Sequence, residues 1–153
     1  GIILRSQAGL IANRAALRRP EVLKVARTLL EYIEAYLRAE DHVLVVANIR
    51  GESPQVIAQR MFTQDMLGGL QGPTIAPVVV RGTAATAAGA NPSDVDDPTY
   101  AWHAVQIVVP RDRLFQAITE LRAIGGSGVV VTPVKYIFEE EPARYRAMME
   151  ALE

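Results

Sequence analysis

The chain has 153 residues, half of them apolar and 22% charged, with 16 Lys+Arg against 17 Asp+Glu and no cysteine. That length and composition suit one globular core, and the balanced charge argues against a broad nucleic-acid surface. The missing thiols exclude disulfides, thiolate zinc sites, iron–sulfur clusters and cysteine catalysis, and no apolar run is long enough for a membrane span.

Residues 2–12 (IILRSQAGLIA) read as one strand or two short ones, broken by Asn13-Arg14. Pro20 suits the first turn of a helix. From there Val22, Val25, Ala26, Leu29, Leu30, Ile33 and Leu37 recur at three- and four-residue steps, with Arg27, Glu31, Glu34 and Arg38 on the wetter side. That spacing predicts an amphipathic helix of about five turns.

Residues 42–49 (HVLVVANI) predict a strand, followed by a turn over 50–54. Ser53 is a candidate N-cap and Pro54 a first-turn proline for a helix through Val56, Ile57, Arg60 and Met61. Gly68-Gly69-Leu70-Gln71-Gly72-Pro73 is a glycine-rich turn. A second strand runs Thr74–Arg81, bent or edge-placed because Pro77 has no N–H to donate. Residues 82–99 are expected to be a solvated loop, long for a compact domain.

A third strand is expected over 100–109, then a helix opened by Pro110-Arg111-Asp112 and running through Leu114, Ile118 and Leu121 to Ile124. Gly125-Gly126 ends it, since a left-handed residue commonly closes a helix. Val129–Val134 is the fourth strand, and the charged tail is a short peripheral helix. The order from residue 41 to 138 is thus β-α-β-β-α-β, the ferredoxin-like split βαβ unit, a four-stranded antiparallel sheet with two helices on one face. Residues 1–40 look like the closing strand and linking helix of another region, 41–138 like the domain, and 139–153 like a terminal helix. The chain opens on Gly1 rather than Met, which suggests a start in mid-protein.

Few residues invite chemistry. Gly82-Thr83-Ala84-Ala85-Thr86 resembles a phosphate cradle, but Val80 and Arg81 stand before it where a phosphoribosyl site wants an acidic group for the ribose. Asp94, Asp96 and Asp97 lack the glycine and distal glutamate of a calcium loop. Glu139-Glu140-Glu141 reads as solvated charge at a helix start. His42 and His103 have no nucleophile or acid at a recognisable spacing, so both read as structural. Tyr100 and Trp102 read as packing or interface groups. The two glycine turns, 68–74 and 125–128, are the better candidates, because bare backbone admits a ligand or another subunit closely. Both lie beside a sheet edge in the expected order.

Three separated stretches resemble one family. Ser6-Gln7-Ala8 with Leu10-Ile11-Ala12-Asn13-Arg14 resembles the segment before the regulatory domain of long-form ATP phosphoribosyltransferases. Leu70-Gln71-Gly72-Pro73-Thr74-Ile75-Ala76-Pro77 resembles that family's LxxPTxxP turn, and residues 121–133 (LRAIGGSGVVVTP) its last helix–turn–strand. Ala47-Asn48-Ile49-Arg50-Gly51 and Tyr136-Ile137-Phe138 look closest to the plant-type branch.

The resemblance implies an enzyme that joins ATP and phosphoribosyl diphosphate, with magnesium, at the first step of histidine biosynthesis. On that implication the catalytic phosphate loop lies upstream of Gly1, and this chain carries no catalytic residue and binds no metal itself. The chain would be the end of the catalytic region (residues 1–40) plus the C-terminal, ACT-like domain that binds L-histidine between adjacent subunits of a homo-oligomer, a hexamer in the family. Carried over by position, the histidine site would use Asn48, Leu70, Gly72, Thr74, Gly126 and Ser127. Asn48 stands where bacterial relatives commonly have an acidic residue, and Gly72 where many have serine. The compartment implied is the plastid stroma for a plant or alga and the cytoplasm otherwise. No nucleic-acid or membrane partner is expected. The alternative reading is a stand-alone ferredoxin-like assembly module without catalysis.

Overall fold

A computed structural model describes residues 3–4, 8–79 and 101–153. The Gly82–Thr86 turn, Asp94, Asp96, Asp97, Tyr100 and the whole 82–99 stretch lie outside the described residues. The chain divides into two compact units, residues 39–135 and residues 1–38 with 136–153.

The larger unit holds β1 (His42–Arg50), α3 (Pro54–Phe62), β2 (Thr74–Pro77), β3 (Trp102–Pro110), α4 (Leu114–Ala123) and β4 (Ser127–Pro133). The four strands form one sheet in the order β2-β3-β1-β4, with every pair antiparallel. This is the ferredoxin-like, ACT-like α+β arrangement expected from the sequence. Pro77 sits on edge strand β2, the position its missing N–H requires. Arg50 closes β1 instead of opening the turn. Arg111–Arg113 form a single 3-10 turn before α4.

The core lies on one face of the sheet. Val43, Val45, Ala47 and Ile49 of β1 and Val105, Ile107 and Val109 of β3 are buried there under Ile57 and Met61 of α3 and Ala117 and Leu121 of α4. Strand alternation explains the choice, since every second residue shares a face. Each buried Val, Leu, Ile or Met contributes about 1.5–3 kcal/mol of transfer free energy. Ser53 caps α3 by accepting from the Val56 N–H at 3.3 Å. At the end of α4, Gly125 (φ 89°) allows the Gly126 N–H to donate to Leu121 C=O at 2.7 Å and the Gly125 N–H to Arg122 C=O at 3.1 Å. That pair of bonds is the Schellman closure, and it needs a left-handed residue at Gly125.

The second unit contains α1 (Arg14–Leu17), most of α2 (Pro20–Glu40) and α5 (Ala143–Glu150). Asn13 caps α1 through Oδ1, which accepts from the Ala16 N–H at 3.1 Å. The short helix was not foreseen in the sequence. The described residues of the expected opening strand, 3–4 and 8–12, carry no strand pairing, and Ile11 is 93% exposed. A strand satisfies its backbone through a neighbouring strand, and none pairs here.

On α2, Leu30 and Ala35 are buried, while Val25, Leu29 and Leu37 of the expected apolar stripe remain exposed. Tyr136, Ile137 and Phe138, read from sequence as the end of the domain, group with this unit. The Ile137 N–H donates to Ala35 C=O at 3.0 Å, and the Tyr136 and Phe138 rings meet Tyr32 edge-on at 5.7 and 5.5 Å. Glu34 holds α5 by accepting the N–H groups of Ala143 and Arg144, both at 3.0 Å. Glu31 accepts from Arg27 Nε at 2.8 Å, and this bond and charge hold the Arg27 guanidinium above its ordinary pKa. Among the described residues, no helix is long and apolar enough to cross a membrane.

Candidate functional site

The face of the sheet opposite the helices is open. It presents Leu44, Val46, Asn48 and Arg50 from β1, and Trp102, Ala104, Gln106 and Val108 from β3, by strand alternation. Thr74 and Ala76 join it on β2, opposite Gln106 and Ala104, and Val130 and Thr132 join it on β4, opposite Val46 and Leu44.

Asn48 is half-buried at the centre of this face. Its cross-strand partners are Ala104 on β3 and Ser127 on β4. Between the pairs Val46↔Val130 and Asn48↔Ser127, β4 has one residue more than β1. That is a bulge, and Gly128 (φ 60°) takes the left-handed conformation such a bulge favours. A Cβ on Gly128 would lie 3.7 Å from Asn48 Nδ2, so the bulge lays bare backbone beside the amide.

Gly126 has a different physical reason. A Cβ there would stand 2.6 Å from the Leu121 carbonyl oxygen, and its N–H already donates to that oxygen. The helix closure alone therefore demands glycine at 126. A ligand seeking the Gly126 N–H as a donor would compete with Leu121.

Leu70, Gly72 and Thr74 sit at the opposite edge. Leu70 is 41% exposed and lines an open groove with Gly68, Gly69, Val108 and Pro110. Gly72 takes φ 108°, in the left-handed region, with open space where a side chain would be. Thr74 begins β2 and faces outward beside Gln106. The turn that carries them is tied to α4, because Glu120 Oε2 accepts the Met66 N–H at 2.8 Å.

The six sequence candidates thus form two groups. Asn48, Gly126 and Ser127 gather where β1 meets β4, while Leu70, Gly72 and Thr74 gather at β2. The edge strands β2 and β4 are separated by three strand spacings, about 14 Å.

His103 is buried on the helix face of β3, with Nδ1 3.2 Å from Ala101 C=O. His42 opens β1 opposite Pro110. Among the described residues, no group of three His, Asp or Glu side chains is placed to hold a metal ion. One juxtaposition escaped the sequence reading. Arg50 lies directly across from Trp102, with its guanidinium 4.5 Å from the indole ring centre. Sequence carried no signal for it, because the pairing is set by the register of two strands more than 50 residues apart.

The family described as HisG, C-terminal domain, matches residues 39–136. The chain is 40% identical over 153 residues to ATP phosphoribosyltransferase 2, chloroplastic, and 41% identical to ATP phosphoribosyltransferase 1, chloroplastic, both of Arabidopsis thaliana. Each alignment covers 99% of this chain and 34% of the relative, so the chain spans about a third of their length. An ATP phosphoribosyltransferase of Phocaeicola vulgatus is 26% identical over 134 residues, covering 88% of this chain and 38% of that protein. With its matched region coinciding with the four-stranded unit, the chain belongs to the HisG C-terminal domain family and is similar over nearly its whole length to plant ATP phosphoribosyltransferases.

Proposed function

We propose that this chain is the regulatory, histidine-binding and oligomerising part of an ATP phosphoribosyltransferase, the enzyme that joins ATP and phosphoribosyl diphosphate at the first step of histidine biosynthesis. The observation that carries the reading is the split of the candidate residues between the two edges of one open sheet face. A free amino acid is too short to bond Ser127 on β4 and Thr74 on β2 of one copy, some 14 Å apart. Two copies that bring the β4 edge of one to the β2 edge of the other would present both groups to one ligand.

The chemistry suits a free amino acid. Asn48 offers an amide donor and acceptor, Thr74 and Ser127 offer hydroxyls, and Gly128 leaves room at the backbone. Leu44, Val46 and the exposed Val130 add apolar side chains to the same face. Inhibition then follows if histidine binds one quaternary arrangement better than another, since a ligand shifts an equilibrium only by its differential affinity. Magnesium belongs, on this reading, to the catalytic part of the longer protein. The chloroplastic names of the two plant relatives favour the plastid as the compartment.

A mixing experiment tests the reading. Asn48→Ala and Thr74→Ala variants of the full-length protein are each expected to lose L-histidine binding in calorimetry. Dissociated and reassembled together, they should regain roughly a quarter of the sites, because some interfaces then pair two intact edges. No histidine binding by the unaltered assembly defeats the proposal and favours a module that only assembles.

A further inference from the structure

Histidine is a zwitterion at neutral pH, and the groups so far assigned to it are neutral. Its carboxylate lacks a cation. Arg50 is two residues beyond Asn48 on the same strand and the same open face, about 7 Å along β1. His42 begins the other end of β1, and Lys135 follows Pro133 at that same far end of β4. Among the described residues of the four strands, Arg50 is therefore the cation of this face that stands beside Asn48.

Three contacts hold it ready. Its guanidinium lies 4.5 Å from the centre of the half-buried Trp102 ring. A guanidinium set against an aromatic face keeps its in-plane N–H donors free for a carboxylate. The backbone beneath is fixed as well. Arg60 Nη1 donates to Arg50 C=O at 3.1 Å, and Gly51 packs so closely on Ile57 that a Cβ there would meet Cγ1 at 2.7 Å. Among the described residues, no carboxylate forms an ion pair with Arg50, although five other arginines have such partners. Ala104, opposite Asn48 and next but one to Trp102, puts only a methyl group between the amide and the stacked pair on this face.

We infer that Arg50, positioned by Trp102, is the carboxylate anchor of the amino-acid site, and so the residue that separates an amino acid from its decarboxylated or reduced analogues. The inference rests on the histidine-binding reading and deepens it. A planar guanidinium can take both carboxylate oxygens at once, which gives orientation as well as affinity. Trp102 acts through Arg50 as a positioning residue, because it limits the conformations that binding would otherwise have to freeze.

The test compares L-histidine with L-histidinol, which has an alcohol in place of the carboxylate, by calorimetry on the full-length protein. The unaltered protein should prefer histidine. Arg50→Gln should weaken histidine roughly ten- to a hundredfold, the range for a charge-assisted bond, and leave histidinol within about twofold. Arg50→Lys should fall between, having charge without the fork. Trp102→Phe, which keeps an aromatic platform, should weaken histidine less than Trp102→Leu. Unchanged histidine affinity in Arg50→Gln overturns the assignment while leaving histidine binding intact. Equal loss of both ligands also overturns it, since that marks a structural role. If the unaltered protein binds neither ligand, the histidine-binding reading falls and the assignment with it.

Discussion

Glu120, in the middle of α4, accepts the backbone N–H of Met66, 54 residues earlier, at 2.8 Å. Its other oxygen accepts from Gln116 Nε2 at 2.9 Å. The bond ties the turn that leads to Leu70, Gly72 and Thr74 onto a helix whose own position is set by the core. One edge of the proposed site therefore depends on a carboxylate that never faces it.

Glu120→Ala should leave the part-buried Met66 N–H without its acceptor and cost about 1–3 kcal/mol in urea unfolding. Glu120→Gln keeps an acceptor oxygen and should cost less. Hydrogen exchange at Met66 should accelerate more than exchange in β1 or β3. Equal acceleration everywhere would mean that the bond does not act locally.

Gly126→Ala should destabilise by about 1–3 kcal/mol, because its Cβ would stand 2.6 Å from the Leu121 carbonyl oxygen. Gly68→Ala meets nothing within 4 Å and needs no left-handed backbone, so its cost should be within about 0.5 kcal/mol. Thermal unfolding of the two variants checks the contrast. Comparable melting temperatures would show that the helix end relaxes around a methyl group.

Ile57→Ala should cost about 2–5 kcal/mol, since Ile57 is fully buried between α3 and the sheet. Phe115→Ala, at a residue 79% exposed on α4, should cost about 0.5 kcal/mol or less. Denaturant midpoints at constant slope measure both.

The terminal helix gives a separate prediction. Glu34 accepts the first two N–H groups of α5, the role a capping side chain normally fills from within its own helix. Glu34→Ala should cost about 1 kcal/mol and expose residues 143–150 to protease ahead of the rest of the chain. Arg38→Ala removes the exposed pair with Glu139 and should cost about 0–1 kcal/mol, because exposed ion pairs are screened by solvent. Proteolysis at equal rates in the two variants would remove the special role of Glu34.

Within residues 42–133 the sequence alone determined the order of elements, because that order rests on local physics. Ser53-Pro54 starts a helix, Gly125-Gly126 ends one, Pro77 belongs at an edge, and alternation of Val and Ile marks a strand. The glycine turns at 68–74 and 125–128 were also visible as openings, and the family resemblance supplied the six candidate positions. What local patterns could not say was which residues face each other. β1 is almost uniformly apolar from Val43 to Ile49, so only its place between β3 and β4, under α3 and α4, decides that Asn48 looks outward and Ile49 inward. The bulge that sets Gly128 beside Asn48, the stacking of Arg50 on Trp102 and the separation of Thr74 from Ser127 all come from strand register. Register is fixed by side-chain packing between segments far apart in the chain, and a single residue's slip would turn each strand's faces over.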